Sequence, residues 1–360
     1  MRKKARNWKK ACCSGMCMIA LYYGVQMAPG SFWSFFWLQV PYFFPVGYYE
    51  NHEKIEENYS LQVESYFDHK AVLAEEAADE NYINEDTGEL VKTAQKVEPT
   101  EPEQQAPAVT FSVEKLNDFD YLIQNFYRVD ATTTIDGSQL NAQNMLQQDM
   151  HLAPNVDGPQ ILIYHTHASE AFEGDPATTK TVVDVGNELT RLLQEKYQLH
   201  VMHDSTVFDE DRDHAYAKAA PALEKLLQEN PSIEVVIDLH RDGVDPQTHL
   251  VTQVNGKTTA QIMFFNGLCR TNAGPISYLP NENLASNLAF SFQMQLKANE
   301  YYPGFSRCVY LKGYRYNMQY RPKTLLVEVG AQTNTSMEAE NAMEPLADIL
   351  AKVVKMQADE

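Results

Sequence analysis

At 360 residues the chain is long enough for about two domains, and its formal net charge of −20 argues against a role that depends on neutralising nucleic-acid phosphates. Its five cysteines provide no disulfide framework. Cys12, Cys13 and Cys17 fall in an apolar segment, where they serve as small hydrophobes or acylation sites, and Cys269 and Cys308 lack the two C-x-x-C pairs of an ordinary zinc ribbon.

Residues 1–10, MRKKARNWKK, carry six basic side chains, and residues 11–28 carry no charge. A basic segment followed by an apolar one directs the rest of the chain outward, as a signal peptide or a signal anchor. No small-x-small cleavage site follows Val25, so the expectation for 1–28 is an uncleaved single-pass membrane anchor with everything beyond it extracytoplasmic. Residues 29–49 are uncharged and rich in Phe, Trp and Tyr, but Pro41 and Pro45 interrupt them; they suit an aromatic juxtamembrane belt better than a second span. From 50 to 108 the chain is dense in Glu and Asp, as in EEAADEN at 75–81 and EPTEPEQQAP at 98–107. Such composition cannot bury enough surface to offset ordering entropy, so this stretch is expected to be a flexible acidic linker that holds much of the net charge.

The globular texture of 109–360 is expected to be a single catalytic domain. Apolar runs predict strands at 161–164, 199–202, 233–239 and 325–329, and amphipathic spacing predicts helices at 182–196, 214–229 and 336–356. Alternation of this kind implies an α/β fold, a mostly parallel twisted sheet with helices on both faces. Ligands bind such sheets outside the carboxyl ends of the strands.

Three of the predicted strands bring chemistry to that edge. The first, ILIYHTHASE at 161–170, ends in His165 and His167, with Glu170 three positions after the second imidazole. The strand IEVVIDL ends directly at His240, and LLVEV carries Glu328 near its end. Imidazole and carboxylate donors converging on one edge suit Zn²⁺, which takes N and O ligands and, in catalytic sites, keeps one position open. Were the first strand to run through both histidines, His165 and His167 would share a face and either could reach an ion. His151, His200, His203, His214 and His249 have no such placement and are expected to be solvated or locally hydrogen-bonded. There is no G-x-S-x-G elbow, H-E-x-x-H helix, P-loop or G-x-G-x-x-G turn, which leaves hydrolysis by metal-activated water.

The strings YHTHASEAF at 164–172, IDLHRDG at 237–243 and KTLLVEVGAQTNT at 323–335 resemble the stage II sporulation protein P family, cell-wall hydrolases of engulfment in endospore formers. FDYLIQNFYRVDATTT at 119–134 and YLKGYRYNMQYRPKT at 310–324 extend the resemblance over about 119–354. It implies the fold of zinc-dependent N-acetylmuramoyl-L-alanine amidases, with His167, Glu170 and His240 as zinc ligands and Glu328 as general base. Glu188, in TVVDVGNELT, is the alternative to Glu170, because such amidases draw the ligand glutamate from a later helix. The resemblance further implies peptidoglycan as substrate, endopeptidase cleavage of crosslinks, and stage II sporulation proteins D and M as partners. His165, Arg241, Asp242, Arg315 and Asn317 are candidates for substrate contact or for orienting the site. A zinc carboxypeptidase acting on soluble peptides and a non-catalytic membrane scaffold are the competing classes.

Overall fold

The computed structural model describes residues 106–174 and 180–355, and every described residue belongs to one unit, Val63–Glu360. The expected anchor, aromatic segment and nearly all of the acidic linker lie outside the described residues. Among the described residues no helix is long and apolar enough to cross a membrane.

In chain order the elements are α1 (Val113–Leu116), α2 (Phe119–Phe126), β1 (Tyr127–Val129), α3 (Ala142–Leu146), β2 (Ile161–Tyr164), α4 (Val182–Glu195) and β3 (Val201–His203). A 3-10 turn at Arg212–His214 leads into α5 (Ala215–Glu229), followed by β4 (Val235–Asp242), β5 (Val251–Val254), β6 (Lys257–Ala260), β7 (Ile262–Gly267), β8 (Arg270–Thr271) and β9 (Gly274–Pro275). The remainder is α6 (Leu284–Tyr301), β10 (Ser306–Lys312), β11 (Lys323–Ala331) and α7 (Ser336–Val354). A seven-stranded sheet runs β1-β10-β7-β11-β4-β2-β3. All its pairings are parallel except β11 with β7, in keeping with the expected mostly parallel α/β sheet.

Period-two alternation divides the strand side chains between two helical layers. Ile161, Ile163, Val235, Ile237 and Leu239 join the larger apolar core together with Val182, Val185, Leu189 and Leu193 of α4 and much of α7. Leu162, Tyr164 and Val236 face the other way, onto Ala219, Leu223 and Leu227 of α5 and onto Phe208. Both long helices next to the site begin with reciprocal capping boxes, Thr181 with Asp184 for α4 and Thr335 with Glu338 for α7. These fix where each helix starts relative to the strand ends.

One local feature departs from the sequence expectation. β4 does not stop before His240 but continues to Asp242, because β11 keeps pairing with it, Glu328 opposite His240 and, after a shift in register, Ala331 opposite Asp242. The first site strand stops at Tyr164, as expected, and residues 166–169 form turns. His165 and His167 therefore do not share a strand face.

Candidate metal centre

The turn sends the two imidazoles to opposite sides of the sheet. His165 is buried against α4, its Nδ1 2.7 Å from the Leu239 carbonyl and its Nε2 2.8 Å from His203 Nε2. Since a carbonyl only accepts, Nδ1 of His165 carries the proton and its neutral Nε2 accepts from His203. Burial lowers the His165 pKa to about 4, which keeps this arrangement neutral. His165 thus braces the backbone of the residue before His240. The part of His203 was missed from sequence because the contact spans 38 positions.

His167 lies on the α5 side, edge-on to the rings of His240 (centroids 5.3 Å apart) and Tyr216 (5.6 Å). Its buried Nδ1 has no hydrogen-bond partner. Burial, followed by the charges of His240 and Arg212, lowers its pKa to about 4, so the ring is neutral and its lone pair is free for donation.

His240 is flanked by two carboxylates. Asp238 Oδ1 is 2.8 Å from Nε2 and Glu170 Oε2 is 3.4 Å from Nδ1. The Asp238 contact is close but off the axis of an aligned hydrogen bond. Burial disfavours the imidazolium, yet Asp238 and then Glu170 overcome that and raise the pKa well above the ordinary value. Asp238 is itself fixed, accepting from Thr166 N at 2.8 Å and Thr166 Oγ1 at 2.6 Å. Sequence reasoning had read Asp238 only as a strand residue, although its D-x-H spacing puts it on the same strand face as His240.

Glu170 is buried with its oxygens divided: Oε1 accepts from Arg212 Nη2 at 3.0 Å, and Oε2 accepts from the Arg241 amide at 3.1 Å while facing His240. Burial works against ionisation, but His240, His167 and Arg212 hold its pKa well below the carboxylate range. Glu188, the alternative, is occupied on the surface of α4 by Arg191 at 2.7 Å.

Glu328 stands beside His240 in the parallel ladder, so the two side chains leave the same face of the sheet. The residue is partly exposed, but Oε2 is sealed from solvent and has no partner. Burial, then the neighbouring Asp242 carboxylate, raises its pKa to about 8.

The remaining candidates are engaged elsewhere. Arg241 Nε donates to the Ala171 carbonyl at 3.0 Å, and Asp242 pairs with Arg307. Arg315 reaches the Pro280 carbonyl at 3.3 Å, and Asn317 Nδ2 holds the Tyr216 carbonyl at 3.0 Å. Asn317 acts on the site only through Tyr216, the residue packed on His167.

Among the described residues no three His, Cys, Asp or Glu side chains form a ready ion site. With the Nδ1 proton of His240 displaced, the donor set is compatible with zinc. Two donors about 2.1 Å from a tetrahedral zinc lie about 3.4 Å apart, which is the separation of His240 Nδ1 and Glu170 Oε2. Two imidazoles on one such ion would have centroids about 5 Å apart, close to the His167–His240 spacing. The unpartnered buried Nδ1 of His167 supplies a third donor.

A family model described as stage II sporulation protein P matches residues 34–351. The chain belongs to the stage II sporulation protein P family. A curated family relative from Bacillus subtilis strain 168, named stage II sporulation protein P, is 22% identical over 240 residues, covering 61% of this chain and 57% of the relative. The chain thus matches a little over half of that relative's length. Among solved structures, the chain is similar to the CwlD amidase of Clostridioides difficile in complex with the GerS lipoprotein, at 14% identity and a TM-score of 0.34, covering 53% of this chain and 94% of that one. It is also similar to the N-acetylmuramyl-L-alanine amidase Ami1 of Mycobacterium abscessus, at 12% identity and a TM-score of 0.31, covering 54% and 96%.

Proposed function

We propose that this chain is a membrane-anchored, zinc-dependent peptidoglycan hydrolase of endospore formation, an N-acetylmuramoyl-L-alanine amidase with endopeptidase activity. The observation that carries the reading is the arrangement around His240, with Glu170 at zinc-ligand separation from Nδ1, Asp238 on Nε2 and Glu328 in register on the next strand. Family membership supports the cell-wall substrate and the sporulation setting. The basic and apolar N-terminus supports the membrane anchor. Partnership with stage II sporulation proteins D and M has family membership as its sole support.

His167, Glu170 and His240 would hold the ion. When bound, zinc lowers the pKa of a water toward about 7 and polarises a carbonyl. Asp238 orients His240 through its second nitrogen, the arrangement that fixes a metal-ligating imidazole in one tautomer. Glu328, whose carboxyl burial and Asp242 push up to about 8, in its ionised form takes a proton from the attacking water at Oε2 and returns one to the departing amine. The rings of Tyr216 and Tyr316, edge-on at 5.5 Å, wall the His167 side and exclude bulk water there.

The test is an end-group assay. The full chain incubated with purified sacculi should expose new alanine amino groups as stem peptides leave the glycan. Release of single amino acids from short soluble peptides, with sacculi untouched, would favour a carboxypeptidase and overturn the proposal.

A further inference from the structure

The segment after β3 closes over the HTHASE turn at two points. Asp209 accepts from the Ser169 amide at 3.1 Å and from Ser169 Oγ at 3.0 Å, and three residues later Arg212 Nη2 reaches Glu170 Oε1 at 3.0 Å. Between β3 and these ties, Phe208 is buried in the core under α5, which anchors the strap. The Arg212 side chain is 53% exposed, whereas that of Glu170 is 4% exposed. The exposed guanidinium gains little from the pair, but the buried Glu170 oxygen would be left short of a partner without it. The pair also has a geometric effect.

The last torsion of a glutamate is soft, and its two oxygens are otherwise equivalent. Here they are not equivalent: Arg212 takes Oε1, while Oε2 accepts from the Arg241 amide at 3.1 Å and faces His240 Nδ1. We propose that Arg212, held by the Asp209 clasp, is a positioning residue that makes Glu170 a one-oxygen zinc ligand. The proposal rests on the zinc reading above. A cation beside a dication also repels it, so two effects oppose each other in any variant. Since the guanidinium occupies the oxygen that the ion does not need, positioning outweighs repulsion, and loss of Arg212 weakens binding.

The experiment measures zinc affinity of the full chain by competition with a chromophoric chelator, together with the melting temperature of each metal-free protein. The arms are wild type, Arg212→Ala, Arg212→Lys, Asp209→Asn and His167→Ala. Arg212→Ala should bind zinc about 10- to 100-fold more weakly, the range for lost outer-shell partners of metal ligands. Arg212→Lys should recover most of that loss and Asp209→Asn should fall between, with melting temperatures of these two close to wild type and only Arg212→Ala lowered by the stranded carboxylate. Should Arg212→Ala fail to fold, Asp209→Asn carries the test. Affinity in Arg212→Ala equal to wild type overturns the proposal, and tighter binding shows the guanidinium to be only a competing charge. Wild type binding no better than His167→Ala would overturn the zinc reading, and this proposal with it.

Discussion

Replacing Gly186 with alanine pits two calculable effects against each other. In an ordinary helix interior the change stabilises by about 0.8–1 kcal/mol, and Gly186 lies within α4 with no positive φ to oppose it. A Cβ there would come 2.7 Å from His203 Nε2 and 2.9 Å from both Cε1 and Nε2 of His165. His203 is half-exposed and can swing aside, but only by giving up its 2.8 Å bond to His165. That leaves a fully buried nitrogen unsatisfied, at about 1–3 kcal/mol, while His165 itself is held to the Leu239 carbonyl. Overpacking adds about 1–3 kcal/mol, so the net is a destabilisation on the order of 1–5 kcal/mol. For a domain of this size that lowers the melting temperature by about 3–15 °C, readable by circular dichroism on the metal-free protein. A melting temperature raised by a few degrees, as helix propensity alone requires, would refute the tight packing of the His165–His203 pair.

Three further substitutions separate the roles around His240. His167→Ala should abolish zinc binding measured by metal analysis, whereas His165→Ala should retain zinc and lose on the order of 2–3 kcal/mol of stability in a denaturant melt; the reverse pattern would exchange their roles. Asp238→Asn should weaken zinc about 10- to 100-fold in a chelator titration, and an unchanged affinity would remove Asp238 from the site. Glu328→Gln should keep zinc and lose turnover. It should also melt higher near pH 7 without metal: a folded pKa of about 8 against an ordinary 4.5 means that the fold loses stability as pH rises through that window. Glutamine lifts this cost, on the order of 1–3 kcal/mol, and the gain should vanish near pH 4.

Much of this architecture was legible in short patterns. Apolar spacing placed α4 and α7 to within a residue or two, and largely apolar runs located β2, β4 and β11. Helix α6 was not legible, because it is buried all round. Asn287, Ser291 and Gln295 form a polar stripe inside the protein, bonded to the Met318 carbonyl, Asn266 and Ser306, and so erase the amphipathic period. The residues meeting at the strand ends were visible as a set, and the family resemblance suggested their roles, but not the sides of the sheet that His165 and His167 take. Strand termination at Tyr164 sent His165 to one side of the sheet and His167 to the other, which no local pattern encodes. Arg212 and His203 reach the site across 42 and 38 residues of sequence, so only the fold brings them there.

The central claim, that zinc held by His167, Glu170 and His240 drives cleavage of peptidoglycan amides, is tested most directly by mass analysis of the fragments that the full chain releases from purified sacculi. The assay is run on the protein as isolated, after a chelator, and after zinc is restored. The account predicts free stem peptides from the first and third samples, none from the second, and none from zinc-loaded Glu328→Gln. Release that persists through chelation, or that survives in Glu328→Gln, would contradict it.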